Sequence, residues 1–273
     1  MILERLAPAS LMRRIRGWHS ADAVPGSSSG FVTPWDVTSP QDCDFYHTME
    51  VPEHGLVKGQ WDLRGKIDEY LGNYNFAGKR VLEIGPASGF LTFELEKRGA
   101  EVVVVDVSEL KPWDFVPYPE TSLASVYPVR REHMRRLKNS FWFAHRKFRS
   151  RAKVWYGDVY NLPEVLGQFD VAVMAAVLLH VKSPLLLMAE CGKRASTLIV
   201  TDLLYEDLEG KPVCRLHPTA DNQGWDTWWH LTSDIVRQFA SVLGFSKMAR
   251  TEHVQHYEVT GWDARFFTVV ASQ

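Results

Sequence analysis

The sequence predicts an open α/β fold in which a mostly parallel sheet is covered by helices on both faces, and three observations carry that reading. From Lys79 onward, five short runs rich in β-branched residues recur: RVLEI (80–84), EVVVVD (101–106), KVWY (153–156), FDVAVM (169–174) and STLIVTD (196–202). These runs are apolar on both faces instead of alternating, which marks strands buried on two sides. Helix-like segments lie between several of them, the alternation expected of a parallel sheet.

The individual elements carry their own end signals. Gly89 opens a helix containing Phe90, Phe93 and Leu95, and Gly99 closes it where a left-handed C-cap is expected. Ser183 is read as an N-cap with Pro184 in the first turn, leading into LLLMAECGKR. Thr232 or Ser233 caps DIVRQFASVL, whose Ile235, Val236, Phe239, Val242 and Leu243 form a core-facing stripe ended by Gly244. Two final strands are expected around 245–251 and 265–271. Upstream, residues 17–65 are rich in Gly, Pro, Ser and aromatics, with little periodicity. They read as a loop-rich leader or cap, so the division is a leader over 1–65 and one domain over 66–273. The opening residues 1–17 suit a short amphipathic helix better than a targeting presequence, because Glu4 and Asp22 fit the latter poorly.

Composition narrows the class. With 273 residues, 45% of them hydrophobic, and a net charge of −2, the chain suits a packed globular core and not a disordered polyelectrolyte. Cys43, Cys191 and Cys214 are widely spaced and form no CxxC pair, so neither a disulfide framework nor a metal site is expected, and a reducing cytoplasm is the expected compartment. No run of eighteen apolar residues suggests a membrane span.

The stretch VLEIGPASGF (81–90) reads as a buried strand entering a glycine turn. A dinucleotide fingerprint would need glycine at 85, 87 and 90, where this chain has Gly85, Ala87 and Phe90, and no Gly-Lys-Ser/Thr follows as a phosphate loop requires. What the stretch does carry is Glu83, Gly85 and Gly89 at the end of a strand, where open α/β sheets bind their ligands. Here the chain resembles the class I, Rossmann-like S-adenosylmethionine-dependent methyltransferases, over residues 79 to about 271. The resemblance implies a seven-stranded sheet with a final antiparallel pair, and S-adenosylmethionine as cofactor with S-adenosylhomocysteine as product. It implies that Glu83, Gly85, Pro86 and Gly89 seat the methionine end, that Asp106 takes the ribose hydroxyls, and that Asp158 with the Val159 amide takes the adenine. Ala87 departs from the glycine common at that place, and Pro86 stiffens the turn. Residues 46–65 and 134–163 are further similar to the branch that methylates or carboxymethylates the tRNA wobble uridine.

The acceptor side is less marked. His180 follows the fourth strand and is either a general base, poised near neutral pH, or a packed histidine holding the turn. Tyr46 and His47 in the leader, and Trp225, Trp228 and Trp229 in GWDTWWH, are candidate acceptor contacts, with hydrophobic burial as their plainer role. Asp202, Tyr205 and His230 are lesser candidates, and Asp170, which begins a strand, is expected to be structural. Between 130 and 153 stand ten basic residues against one acid, Glu132, which leaves −11 for the rest of the chain. Met134, Leu137, Phe141 and Phe148 recur there at helical spacing, so an inserted helix is expected to bury its apolar stripe and turn its basic face outward, toward solvent or toward RNA or another anionic ligand. Three functions follow: a small-molecule methyltransferase, a tRNA-modifying transferase, or a non-catalytic cofactor-binding protein.

Overall fold

The computed structural model describes residues 30–108, 114–119 and 123–273. The expectation for the first seventeen residues, and that for the part of the leader before residue 30, lie outside them. In chain order the strands are β1 (Met49–Val51), β2 (Gly55–Val57), β3 (Trp61–Asp62), β4 (Arg80–Ile84), β5 (Glu101–Asp106), β6 (Lys153–Tyr156), β7 (Phe169–Ala175), β8 (Ala195–Leu203), β9 (Cys214–Leu216), β10 (Trp229–Leu231), β11 (Lys247–Tyr257) and β12 (Trp262–Ser272). The α-helices are α1 (Ile67–Tyr70), α2 (Phe90–Lys97), α3 (Leu123–Phe148), α4 (Pro184–Gly192) and α5 (Ser233–Val242).

The main sheet has the order β3-β11-β12-β8-β7-β4-β5-β6. Strands β4 to β8 run parallel, while β12 pairs antiparallel with both β8 and β11. The sheet holds eight strands, not seven, because the leader contributes β3 to its edge by pairing with the end of β11, Trp61 opposite Tyr257 and Asp62 opposite His256. The expected final pair is present and longer than its apolar runs suggest, since polar residues extend the β11–β12 hairpin beyond the covered sheet.

Alternate residues of the central strands enter two cores. Val81, Val102, Val104, Val154, Val171 and Val173 pack against Phe93, Phe141 and Trp142 of α2 and α3. Leu82, Val103, Val105, Ala172 and Met174 pack against Leu187, Met188, Val236 and Ala240 of α4 and α5. Two-sided burial is thus the physical reason for the non-alternating strand sequences. Thr232 caps α5, its Oγ1 accepting from Ile235 N at 3.3 Å. Ser183 makes no side-chain cap at α4; its N–H donates instead to the Tyr160 hydroxyl at 3.1 Å. Asp170 is structural in its contacts: Oδ2 accepts from Arg80 N at 2.7 Å, at the edge where β7 begins.

The inserted helix α3 buries Met134, Leu137 and Phe141, as its spacing predicts. Phe141 is 1% exposed and lies edge-on to Trp142, with Phe93 5.8 Å away. Phe141→Ala should lower stability by about 3–5 kcal/mol through the cavity it leaves; urea denaturation with the parent's slope and a reduced midpoint is the expected result.

Candidate active site

The strand order reverses direction of travel between β4 and β7: from β4 the chain proceeds outward to β5 and β6, then returns to lay β7 and β8 on the other side. The carboxyl ends of β4 and β7 therefore diverge around a crevice, the place where such sheets bind ligands. Backbone strain gathers there. Gly85 (φ 70°), Ala87 (φ 50°) and Gly89 (φ 90°) follow β4, and Ala176 (φ 51°) follows β7. An alanine held left-handed costs of order 1–3 kcal/mol and marks functional turns. Ala87 thus adopts the glycine-like backbone at the position where its methyl departs from the family pattern. A Cβ on Gly85 would lie 2.9 Å from Val177, and one on Gly89 2.7 Å from Phe93 and 2.9 Å from Phe141. Protein neighbours as well as φ demand glycine at both places.

Glu83 is 1% exposed, and burial pushes its pKa up from 4.5 to about 8. One carboxyl oxygen accepts from Thr92 Oγ1 on α2 at 2.5 Å, while Oε1 has no partner among the described residues. Asp106, at the end of β5, is half-buried; desolvation raises its pKa, against the lowering influence of Lys138 and Arg130. Its Oδ1 accepts from Val107 N at 2.8 Å. Asp158 is half-buried after β6, with Oδ1 accepting from Tyr160 N at 2.9 Å, and Val159 beside it is buried. The Pro86 carbonyl accepts from Gly89 N at 2.9 Å and so closes the turn. The residues after β4, β5 and β6 thus line one edge of the sheet.

His180 lies in a short 3-10 turn (Leu178–His180) after β7. Its ring is exposed to solvent, yet surrounding protein lowers its pKa below the ordinary 6.5, desolvation being the main cause. His180 Nδ1 is 2.8 Å from the carbonyl oxygen of Asp226. A carbonyl only accepts, so Nδ1 carries the proton and Nε2 keeps its lone pair.

Three separate segments meet at this histidine. Asp226 acts electrostatically on His180, Arg130 and Tyr46, and Arg130 acts in turn on Asp106. The Arg130 guanidinium lies 5.4 Å from the Trp225 ring centroid, and Phe115 packs on the same ring at 5.4 Å. Tyr46, half-buried with its pKa raised by burial, receives a hydrogen bond from Trp61. The backbone amides of Tyr46 and His47 both donate to the buried Ser88 hydroxyl at 3.2 Å, which ties the leader to the turn after β4.

Other sequence candidates are engaged with protein neighbours. His47 is 7% exposed, packs 5.8 Å from Phe90, and burial lowers its pKa to about 3. Trp228 and Trp229 spend their indole N–H groups on the carbonyls of Asp114 and Lys182. His230 stacks on Tyr205 with centroids 4.0 Å apart and contacts Arg215, while Asp202 is 1% exposed with its pKa raised by burial to about 7. Sequence reasoning does not single out Arg130, Asp226 or Phe115 as site residues. Arg130 is visible there only as one charge in a basic run, and Asp226 only as the acid among three tryptophans.

The basic helix does not turn all its charge outward. Lys138 is 2% exposed: Nζ donates to Val107 O at 2.8 Å and lies 4.0 Å from the Tyr156 ring centroid. Arg136 donates to the Cys43 and Gln41 carbonyls at 2.8 and 3.0 Å, Arg135 pairs with Glu132 at 2.7 Å, Lys147 pairs with Glu53 at 3.1 Å, and Arg146 pairs with Asp36. The leader, far away in sequence, supplies most of these partners.

Among the described residues no helix is long and apolar enough to cross a membrane, and no group of three His, Cys, Asp or Glu could hold a metal ion. A family profile described as a methyltransferase domain matches residues 60–261. No match was found among curated proteins. The N-terminal domain of EvdMO1, crystallised in the presence of SAH and D-fucose, superposes with a TM-score of 0.55 at 16% identity, covering 85% of this chain and 92% of that one. A SAM-dependent methyltransferase from Methanosarcina mazei gives a TM-score of 0.50 at 17% identity, covering 78% of this chain and 98% of that one.

The state of Glu83 can be read from stability. Its folded pKa lies above the unfolded value, so its favourable contribution is complete below about 4.5 and is lost as pH rises through about 8. Glu83→Gln should therefore melt progressively higher relative to the parent as pH is raised from 5 to 8, and a difference in melting temperature that stays flat with pH would contradict it.

Proposed function

The chain belongs to the methyltransferase-domain family and is an S-adenosylmethionine-dependent methyltransferase; on that premise we propose that its acceptor is a small molecule deprotonated by His180 Nε2. The observation that carries this reading is the Nδ1 contact of His180 with the Asp226 carbonyl, which leaves the other ring nitrogen as a base on an open wall of the cleft.

The chain's residues fit the cofactor. The orphaned Oε1 of Glu83 suits the ammonium of its methionine end, the Asp106 carboxylate suits paired ribose hydroxyls through charge-assisted bonds, and Asp158 with Val159 suits the adenine. When bound, S-adenosylmethionine supplies a methyl group on a positive sulfur, ready for in-line displacement. The protein's share is to orient the acceptor, to shield it with Trp225, Phe115 and Tyr46, and to receive its proton at His180. Because the pKa of His180 is lowered, the ring stays neutral and basic at pH 7.

The distribution of charge supports a small acceptor over tRNA. A polyanion binds through several uncommitted Lys and Arg side chains, whereas α3 spends Arg135, Arg136, Lys138, Arg146 and Lys147 on contacts within the protein. A neighbour of the same fold was crystallised in the presence of SAH and D-fucose, which agrees with a ligand of sugar size.

Native mass spectrometry of the purified protein tests the cofactor directly, and a screen of tritiated methyl transfer into metabolite extract tests the acceptor class. Retention of tRNA in a gel shift, abolished by Arg135→Glu with Arg136→Glu, would favour the tRNA reading instead. Asp106→Ala should weaken S-adenosylhomocysteine binding in calorimetry by roughly tenfold or more, the loss of a charge-assisted pair of hydrogen bonds. His180→Ala should cost roughly 10²-fold in turnover with cofactor affinity retained. The acid limb of the parent's turnover should lie below the ordinary histidine value of about 6.5.

A further inference from the structure

We infer that Asp114 is a positioning residue that holds the adenine-side turn, the His180 turn and the roof loop at 224–230 in one arrangement, and so fixes the tautomer of His180. The inference rests on the reading of His180 as the base. Asp114 stands in the segment between β5 and α3, in no helix or strand, with its side chain 14% exposed. Its Oδ2 accepts from the Tyr160 hydroxyl and from Lys182 N, the latter at 2.9 Å, and Oδ1 lies 3.2 Å from Lys182 Nζ. Its own carbonyl accepts from Trp228 Nε1. One residue thereby touches three loops that arise from different strands.

Each partner leads to the site by a short path. Tyr160 N donates to Asp158 Oδ1, the carboxylate assigned to adenine, at 2.9 Å, and the Tyr160 hydroxyl also accepts from Ser183 N at 3.1 Å. Lys182 is two residues past His180. Trp228 N donates to Leu179 O at 2.8 Å, one residue before His180, and Trp228 is two residues past Asp226, whose carbonyl holds Nδ1. Around it, Val116 N donates to Trp225 O at 3.0 Å and the Tyr118 hydroxyl donates to Gly224 O at 3.2 Å, so the segment 114–118 is laced to the roof along its length. The histidine's proton placement depends on a loop carbonyl, and a loop carbonyl is only as fixed as the contacts that hold its loop. Asp114 holds that loop through its backbone carbonyl, and its carboxylate fixes the two neighbouring turns on which the same backbone rests, at Tyr160 and at Lys182.

Two features make this more than a surface brace. A mostly buried carboxylate that accepts from a hydroxyl and an amide is strongly directional, and both donors belong to turns that carry site residues. The Tyr160 hydroxyl's pKa is pushed far up by burial and then by Asp114, which keeps it a donor throughout the physiological range.

The test reads the histidine itself, without needing the acceptor. Protein labelled with ¹⁵N-histidine, saturated with S-adenosylhomocysteine, is titrated by NMR, with His180→Ala assigning the resonance. In the parent, His180 should show a single Nδ1–H form and a pKa below the ordinary value of about 6.5. Asp114→Ala should introduce the Nε2–H form and move the pKa toward 6.5, the ordinary value of roughly that size, and Asp114→Asn, which keeps an acceptor oxygen, should restore part of the parent pattern. If Asp114→Ala does not fold, Tyr160→Phe removes one of the bonds while keeping the ring and should give the same change in smaller measure. An unchanged tautomer and pKa in a folded Asp114→Ala or Tyr160→Phe protein overturns the inference. The base reading fails separately, by parent-like turnover in His180→Ala, and the NMR result would then still report whether Asp114 orders the ring.

Discussion

Burial of the sheet on both faces is the constraint from which the rest of the structure follows. Once Val81, Val103, Val171 and their neighbours are committed to two apolar cores, polar side chains on β4, β5 and β7 have room only at the strand ends. The reversal of strand order between β4 and β7 leaves a crevice at one of those ends, and that end receives Glu83, Asp106, Asp158 and His180. The left-handed backbone at Gly85, Ala87, Gly89 and Ala176 is the local cost of turning sharply there. It is held by packing: Val177 fills the space beside Gly85, and Phe93 with Phe141 the space beside Gly89. The helices that bury the sheet therefore also shape the turn.

The sheet alone does not complete the site. Beside it the leader, the segment before α3 with the start of α3, and the stretch at 224–230 bring Tyr46, Phe115, Arg130, Trp225 and Asp226 into mutual interaction, the wall proposed for the acceptor. These segments are held to the body by directed polar contacts more than by regular structure: Ser88 takes the amides of Tyr46 and His47, and Arg136 takes the carbonyls of residues 41 and 43. Such contacts suit a wall that must fit one acceptor, because changes in them reshape the cleft while leaving the covered sheet intact.

What the sequence reveals and what it conceals divides along the range of the interactions. Strands β4 to β8, the turn at 85–89 and the cap at Thr232 carry patterns that span only a few residues, and those patterns are legible. The eighth strand is not, because two residues, Trp61 and Asp62, join the sheet only by virtue of β11 extending past its neighbours. Lys138 misleads for a related reason. Its charge suggests solvent, but its ammonium reaches the Val107 carbonyl and the Tyr156 face from inside the helix packing. Arg130, Asp226 and Asp114 gain their roles from contacts between segments far apart in the chain, and no local spacing encodes such a meeting. His47 illustrates the converse: it adjoins Tyr46 in sequence, yet the alternation of an extended chain turns it into the core against Phe90.

The charge balance of the cleft bears on what it can accept. The charged groups that act on His180 oppose one another, the Asp226 carboxylate raising its pKa and the Arg130 guanidinium lowering it, and desolvation sets the net lowering. A bound sulfonium adds a positive charge beside the proposed base, and that charge is lost when the methyl group leaves. An acceptor carrying a fixed negative charge would pair with that sulfonium in the ground state as well as in the transition state, and uniform stabilisation of both does not speed the step. If His180 is the base, an uncharged hydroxyl or amine becomes more nucleophilic only as it loses its proton, and so gains its attraction to the sulfonium along the reaction path. On the proposed reading of His180 as the base, these electrostatics favour a neutral acceptor activated in place, and the orientation of one imidazole ring becomes the quantity on which turnover depends.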